Sequence, residues 1–528
     1  MSNHAYESAA ALRPSSNGPI PISTLCERFS LAPASAEDAA ALNDLSILGV
    51  SVDSADTAPG ELFVGLPGFT VHGARFAAEA VASGAVAVLT DSDGAQIVHQ
   101  AAPGTPVLVH SDPRAVVGPL SAEVYHHPAR GLVTTAVTGT NGKTTTAYFL
   151  DAILSAHVGG CMVAGTVELR VGERSVESPR TTVEAPVLQR MMALAVEDRV
   201  GAASLEASSH AIVLHRLDGI VVDVAGFTNL QRDHLDFHKT MEGYLEAKAQ
   251  LFTPEHARRG VVCVDDQWGA ALAAEAPIEI DRVRAYPGET PADWWVSDAA
   301  VSLTDSATTF TLHGPDGEKI EASCPLPGLV NVQNAALALV MAIRAGVPAA
   351  TAAAALAGAH NIPGRMQRIS QRNGRRGLCI VDFAHTPEAM ELALKAVRPI
   401  TPGRLIVVFG SDGDRDQGKR PMLGEVCARL ADVLVVTDEN PRSEDPQLIR
   451  NAILEGVRGV RPDLTDVEEI TTWRGDAVRR GVELCGPDDT VIVTGKGHEP
   501  FLEMAGEFIR YNDAPVMAEA VEKKWGRA

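Results

Sequence analysis

Thr138-Gly139-Thr140-Asn141-Gly142-Lys143-Thr144-Thr145 lies between an apolar run, Leu132–Val137, and a helical pattern from Thr144 to about Leu154. A glycine-containing turn from strand to helix aims backbone N–H groups at phosphate oxygens, and the helix N-terminus favours their negative charge. Lys143 can neutralise β- and γ-phosphates, and the Thr144 hydroxyl can ligate Mg²⁺. The bland alternative is a plain Gly-rich turn, but Lys-Thr after a strand points to nucleotide binding. The spacing is short: two residues, not four, separate Gly139 from Gly142.

Three further groups of residues could do chemistry. Leu205-Glu206-Ala207-Ser208-Ser209-His210 and Thr228-Asn229-Leu230-Gln231-Arg232-Asp233-His234 each follow a short apolar stretch, so both read as loops leaving strand ends, where α/β proteins place ligands. Glu and His suit a divalent cation beside a triphosphate, although either residue alone after a strand is more often structural. In the run Met241 to Phe252, Lys248 falls on the helical stripe of Met241, Tyr244, Leu245, Leu251 and Phe252. A desolvated lysine favours its neutral amine, which can add carbon dioxide to give an anionic carbamate. Helix position alone favours a snorkelling lysine instead. Finally, four polar loops follow apolar runs: Asp382 to His385, Asp412 to Arg420, Asp438 to Arg442, and Gly495 to Glu499. Gathered at one sheet edge, they suit a small zwitterion. Arg420 and Arg442 can clamp a carboxylate, and Glu499 can accept from an ammonium. Capping and salt bridging explain any one of these residues equally simply, but not the set.

The elements that must position these groups imply an α/β protein. At 528 residues the chain exceeds one hydrophobic core. We read a flexible tail over 1–22, a domain over 23–130, a central domain over 131–361 and a last domain over 362–528. In the first, Glu61–Leu66 and Ala85–Leu89 read as strands, Phe76–Ala82 as helical, and Asp112-Pro113-Arg114 as the start of a helix running to Tyr125. In the centre, Val221–Phe227 and Gly260–Val264 read as strands, and Asn331–Ala345 and Ala352–Ala357 as Ala-rich helices. In the last, Leu378–Val381, Leu405–Phe409, Val433–Val436 and Val491–Val493 alternate with helical patterns, which implies a parallel sheet. The net charge of −22 argues against nucleic-acid or anionic-membrane partners. Seven scattered cysteines without a CxxC pair fit a reducing compartment. Residues 1–21 lack the apolar core of a signal peptide, and no window is long and apolar enough to insert in a membrane, so the expectation is a cytoplasmic monomer.

The short TGTNGKTT form resembles the phosphate loop of the Mur ligases and folylpolyglutamate synthetases. With Leu205–His210, Thr228–Asp236 and the Tyr-Leu-Glu-Ala-Lys-Ala-Gln-Leu-Phe run at Tyr244–Phe252, the likeness to Mur ligases extends from about Val52 to Asp513. It implies three α/β domains: an N-terminal UDP-binding domain, a central P-loop ATPase domain and a C-terminal Rossmann-like domain. It implies ATP and Mg²⁺ as cofactors, with Gly139, Thr140, Asn141, Gly142, Lys143, Thr144 and Thr145 around the phosphates. Thr144, Glu206, His234 and a carbamylated Lys248 would serve the metal. Further ATP contacts carried over are Asn334 in Asn331-Val332-Gln333-Asn334, Arg365, Asp382 and His385. Gln367 stands where Glu is usual, Phe383 where Tyr is usual, and Cys263 where Asn is common.

Within that family the likeness is to the members that add the third residue of the peptidoglycan stem. Asp53-Ser54 with Pro59 to Val64 resembles their uridine-binding segment; Ala55 replaces the usual Arg, so only Ser54 is carried over. Thr181, Thr182, Ser208 and Arg216 resemble contacts to the muramoyl dipeptide, with Leu214 where Gln is usual. Thr437 to Pro446 resembles the diamino-acid motif DNPR, with Glu439 for its Asp, followed by Asn440, Pro441 and Arg442; Gly495 and Glu499 complete the set with Arg420. The implied partners are UDP-MurNAc-L-Ala-D-Glu and a diamino acid. The implied reaction phosphorylates the D-glutamate γ-carboxyl and lets meso-diaminopimelate attack the acyl-phosphate, while Lys143, Lys248 and His210 serve the developing charge. Rivals are an L-lysine-adding homologue, a folylpolyglutamate synthetase-like ligase, and a P-loop ATPase switch that needs no acceptor.

Overall fold

The structure, a computed structural model, describes residues 9–303, 307–359 and 362–526. The boundary expected between 361 and 362 and the first eight residues of the expected tail touch positions outside that set. The chain divides into two compact units, one running to Trp294 and taking in Leu337–Ala355, the other holding Trp295–Ala336 and the residues from Leu356 on.

The first unit carries two main sheets and a short antiparallel pair, Ile20–Pro21 with Ser46–Ile47. The smaller orders Ala32–Pro33, Val107–Val109, Ala87–Thr90, Glu61–Val64 and Gly49–Ser51, parallel apart from its first strand. Burial of Glu61–Val64 and Ala87–Thr90 on both faces explains why they read as continuous apolar runs. The helix Pro113–Val124 starts at Asp112, whose carboxylate accepts from Arg114 N and Ala115 N. The larger sheet has Val133–Thr138 at its centre, flanked in parallel by Ala202–Glu206 and Val222–Phe227. The carboxyl ends of these three strands therefore share one edge, and the phosphate loop, Glu206 and the Thr228 to His234 loop leave from it.

The expected tail is not loose over the part described. Leu12 is fully buried in the core that holds Leu132, Leu188 and Met191. Arg13 pairs with Glu61 and bonds the Asp56 carbonyl, and Ser15 Oγ donates to Glu197 at 2.5 Å. Leu12 follows three alanines and is cut off by Arg13-Pro14, a run too short to show a periodicity, so the sequence offered no sign of this docking. Leu12→Ala is expected to lower stability by ~2 kcal/mol, read from the urea midpoint.

The second unit holds an antiparallel run, Thr308–His313 with Lys319–Cys324, and a six-stranded sheet ordered Gln367–Ser370, Leu378–Val381, Thr490–Val493, Leu405–Phe409, Val433–Val436, Val467–Glu469. All but Gln367–Ser370 run parallel, so the four polar loops do leave one edge. Among the described residues no helix is long and apolar enough to cross a membrane.

Candidate functional site

Two sets of side chains are described separately, one in each unit. In the first, Gly142 at φ 91° begins the helix Lys143–Val158, a conformation that glycine adopts without a Cβ penalty. Gly139, at φ 143°, leaves no room for a Cβ against Thr228 Oγ1. The Thr228–Gln231 segment clamps the loop: Asn141 N donates to Asn229 Oδ1 at 3.1 Å, Asn141 Nδ2 to Gln231 Oε1 at 2.8 Å, and Thr140 N to the Asn229 carbonyl at 2.9 Å. Asn229 and Gln231 were not singled out as working residues in the sequence, although they sit inside the motif that carries His234. Lys143 Nζ donates to the carbonyls of Gly139 and Thr140 at 2.9 Å each, and Thr145 is buried.

Glu206 ties this loop to the expected peptide contacts. Its Oε2 accepts from Thr144 Oγ1 at 3.0 Å and Thr166 Oγ1 at 2.9 Å, and its Oε1 from Thr166 N at 2.8 Å. Thr181 Oγ1 accepts from Thr166 Oγ1 at 3.3 Å. Thr182 Oγ1 donates to the Glu206 carbonyl at 2.7 Å and accepts from Ser208 N at 3.0 Å, while Arg216 NH1 donates to the Thr182 carbonyl at 3.1 Å. Thr144, Thr181, Thr182, Glu206, Ser208 and Arg216 thus form one connected network. Burial pushes the Arg216 guanidinium below its ordinary pKa, against the pull of Glu184 upward.

Beside it, Lys248 is 1% exposed. Its Nζ donates to the Gly139 carbonyl at 2.9 Å and lies 4.4 Å from the centre of the Tyr244 ring. Burial, reinforced by Lys143, holds its pKa well below that of an ordinary lysine, so the neutral amine is favoured. His210 and His234 meet edge to face at 4.9 Å, and His210 lies 5.4 Å from His238. Burial lowers the pKa of all three; His238 is brought to about 4, first by burial and then by His210. His238 stacks on Tyr244 at 4.8 Å and shares a hydrogen bond with Ser209 Oγ at 2.8 Å. It too was missed in the sequence; its i, i+4 spacing from His234 was the available signal.

Among the described residues no three His, Cys, Asp or Glu side chains gather as a ready metal cage. The residues present nevertheless fit a divalent cation. Glu206 is a buried carboxylate with hydroxyl and amide partners and no basic partner among the described residues. Such a charge is costly unless a cation meets it. A hydroxyl, a carboxylate and a neutral imidazole, completed by phosphate oxygens, are the donors a hard cation takes.

In the second unit the loops are stapled together. Gly413 N donates to the Asn440 carbonyl at 2.8 Å, Asp414 N to Glu444 Oε1 at 2.6 Å, and Ser443 Oγ to Asp414 Oδ1 at 2.8 Å. Lys496, fully buried, donates to Asn440 Oδ1 at 2.8 Å and Glu499 Oε2 at 3.0 Å, and Asn440 Nδ2 donates to the same Glu499 oxygen at 3.1 Å. Arg442, at φ 55° after Pro441, pairs with Glu503 at 3.3 Å. Both NH groups of Arg420 hold Glu444, at 2.9 and 2.8 Å, and its side chain is 4% exposed, so it braces the loops. The exposed guanidinium of that loop is Arg415, which makes no ion pair among the described residues. Asp382 is also committed, accepting from Met366 N at 2.8 Å and Ala384 N at 2.9 Å; burial pushes its carboxyl up. Arg365 lies 4.2 Å over the Phe383 ring, and the His385 ring shares a hydrogen bond with the Phe383 carbonyl at 3.0 Å. Asn334 is buried.

Glu439 is buried against Gly495, and its Oε2 finds no hydrogen-bond partner. Burial, then Asp412, pushes its carboxyl up to about 8, against about 4.3 for a free glutamate. The folded chain therefore holds a proton that the unfolded chain releases. That contribution to stability is fully present below the unfolded value and is gone once pH rises past about 8. Wild type should lose urea resistance between about pH 4 and about pH 8, and Glu439→Gln should lose less over that range; equal slopes would show that Glu439 ionises normally.

Comparison with known proteins places these features in one context. The chain matches the Mur ligase middle domain over residues 137–342, the Mur ligase glutamate ligase domain over 364–497 and the Mur ligase family catalytic domain over 46–125. It is 43% identical to the UDP-N-acetylmuramoyl-L-alanyl-D-glutamate--2,6-diaminopimelate ligase of Streptomyces coelicolor, covering 91% of this chain and 93% of that one. It is 42% identical to the UDP-N-acetylmuramyl-tripeptide synthetase of Leifsonia xyli, covering 95% and 96%. Among solved structures, a UDP-N-acetylmuramoyl-L-alanyl-D-glutamate--2,6-diaminopimelate ligase aligns with a TM-score of 0.64 at 31% identity over 91% of this chain and 95% of that one. A MurF ligase of Thermotoga maritima, in complex with ADP, shares the fold with a TM-score of 0.61 at 18% identity over 90% and 97%.

Proposed function

The chain belongs to the Mur ligase family, and we propose that it joins meso-diaminopimelate to the D-glutamate of UDP-MurNAc-L-Ala-D-Glu with ATP as the energy source. The observation that carries this reading is the Glu206 network, in which one residue links the phosphate loop, through Thr144, to Thr182, Ser208 and Arg216. A phosphate-binding loop hard-wired to a second polar site suits transfer of a phosphoryl group onto an acceptor better than simple hydrolysis.

In the proposed reaction a γ-carboxylate oxygen of the D-glutamate attacks the γ-phosphorus of ATP, and ADP departs. The amine then attacks the acyl-phosphate carbon, loses a proton and expels phosphate. Gly139 to Thr145 cradle the nucleotide phosphates, and Lys143 neutralises part of their negative charge. Thr182, Ser208 and Arg216 hold the acceptor dipeptide, and Arg216 is the cation for its carboxylates. Thr144, Glu206, His234 and a carbamylated Lys248 would hold Mg²⁺, which neutralises charge on the phosphate oxygens. His210, favoured in its neutral form, can accept or donate a hydrogen bond beside them. Asn334, Arg365, Asp382 and His385 complete the nucleotide contacts on the family likeness alone; Asp382 acts by fixing the turn at Met366. The amino-acid site is built from Glu439, Asn440, Pro441, Arg442, Gly495 and Glu499, with Arg420 bracing it through Glu444 and Arg415 exposed on the same segment.

Phosphate release should require ATP, Mg²⁺, the UDP-linked dipeptide and the amino acid together. Comparable release with the dipeptide and amino acid omitted would favour an ATPase switch. Use of folates as acceptor would favour the folylpolyglutamate synthetase-like reading.

A further inference from the structure

Arg474, in the second unit, is 1% exposed and lies outside every loop assigned to a substrate. It opens the helix Arg474–Leu484, and its partner Asp513, fully buried, opens the helix Asp513–Trp525. Asp513 lies beyond residues 364–497, the stretch matched by the glutamate ligase domain. One edge of the guanidinium grips the carboxylate: Nε donates to Asp513 Oδ1 at 2.9 Å and Nη2 to Oδ2 at 2.7 Å, while Tyr511 OH donates to Oδ1 at 2.8 Å. The other donors reach two backbone carbonyls: Nη1 that of Asp438 at 3.0 Å, and Nη2 that of Thr494 at 2.8 Å. Each carbonyl belongs to the residue just before a loop of the amino-acid site, Glu439–Arg442 in one case and Gly495–Glu499 in the other. The two loops meet where the Glu439 carboxyl leaves no room for a Cβ on Gly495. Asn512, next to Asp513, holds the far end of the second loop: its Nδ2 donates to the carbonyls of His498 at 2.9 Å and Glu499 at 3.2 Å.

A buried ion pair is weak evidence for stability, since apolar side chains of similar volume often serve as well. Apolar side chains cannot fix two carbonyls at one spacing. A planar guanidinium with donors along both edges can, and a lysine, a point charge on a flexible stem, cannot. We propose that Arg474, oriented by Asp513, is a positioning residue for the incoming amino acid: it sets the spacing between the Glu439–Arg442 and Gly495–Glu499 loops. The inference rests on the amino-acid site of the reading above and adds to it a residue that touches no substrate.

Steady-state kinetics of the full-length chain with ATP, UDP-MurNAc-L-Ala-D-Glu and meso-diaminopimelate, alongside urea unfolding, tests it. Arg474→Met combined with Asp513→Leu removes both charges, so no unpaired ion is left inside. Its KM for meso-diaminopimelate should rise about 10-fold or more, while KM for ATP and for the UDP-linked dipeptide stays within about 2-fold. Arg474→Lys keeps a cation for Asp513 and should raise the same KM by less. A merely structural role would lower the folded fraction, and with it the apparent kcat, without moving any KM. Wild-type KM for meso-diaminopimelate in both variants, or an equal rise in all three KM values, overturns the assignment and leaves the amino-acid site standing. Should the doubly substituted chain fail to fold, Arg474→Lys decides by the same KM. If wild type turns over no meso-diaminopimelate, the reading beneath the assignment falls with it.

Discussion

Lys248→Ala is expected to lower kcat/KM by ~10³-fold or more, and a small carboxylic acid in solution is expected to restore part of the activity. The size follows from placement. The amine is all but inaccessible, sits against the Gly139 carbonyl of the phosphate loop, and has a second lysine as its nearest cation. Two ammonium groups sharing that carbonyl repel each other in a poorly screened site, so Lys248 is favoured neutral and can add carbon dioxide. The resulting anion would face Lys143 and serve the metal as a further ligand. Removing a preorganised charge at the place where phosphoryl charge develops costs ~10²–10³ in such sites, and loss of a metal ligand adds to it. A small carboxylate entering the space left by the side chain supplies the anion without the lysine stem. Full activity in Lys248→Ala would reduce the residue to packing. Inactivity without any rescue, in a protein of unchanged stability, would leave the amine and not its carbamate as the active group.

The stripe that identified Lys248 was legible because the helix Met241–Ala249 obeys a 3.6-residue period, and the structure buries Tyr244 and Lys248 on that face. The strands of the second unit were legible for a different reason. Leu378–Val381, Leu405–Phe409 and Val433–Val436 are buried on both faces, so nothing polar interrupts them. The hairpin Glu168–Val171 with Arg174–Glu177 and the strands Thr308–His313 and Lys319–Cys324 were not read, because short polar alternation with few apolar residues resembles loop. What sequence spacing could not show was commitment. Arg420 and Arg415 are both arginines of one segment; only the position of Glu444, 24 residues after Arg420, shows which of them is engaged by a carboxylate. In the same way nothing in the sequence pairs Asp382 with the turn at Met366, or brings Arg114, Arg180 and Arg216 around Glu184.

The choice of amino acid should turn on Arg442 and Arg415. Lysine and meso-diaminopimelate share a proximal ammonium and carboxylate; the second carries an additional distal carboxylate. A site that selects it needs a cation fixed at that end, and lysine forfeits the ion pair, a difference of ~2–5 kcal/mol, equivalent to about 30-fold to several thousand-fold. Arg442 meets the requirement of fixity. Pro441 stiffens the loop, Arg442 N donates to the Glu503 carbonyl at 3.0 Å, and its guanidinium is held 3.3 Å from the Glu503 carboxylate, a partner that a ligand carboxylate can replace. Arg415 meets the requirement of access: it is exposed, and its loop is bonded to the Asn440–Glu444 segment through Gly413 and Asp414. Glu499, oriented by Asn440 and Lys496, offers a carboxylate to an ammonium. Arg442→Ala is therefore expected to cut kcat/KM for meso-diaminopimelate by about 10²-fold or more while leaving KM for ATP within a few-fold, and Arg415→Ala should act in the same direction. Arg420→Ala should differ in kind: it frees Glu444 and loosens two loops at once, so stability should fall along with activity. Efficient use of L-lysine by the wild-type chain, with meso-diaminopimelate ignored, would refute the specificity and leave the ligase chemistry intact, because the phosphate loop and the Glu206 network make no reference to the distal end of the incoming amino acid.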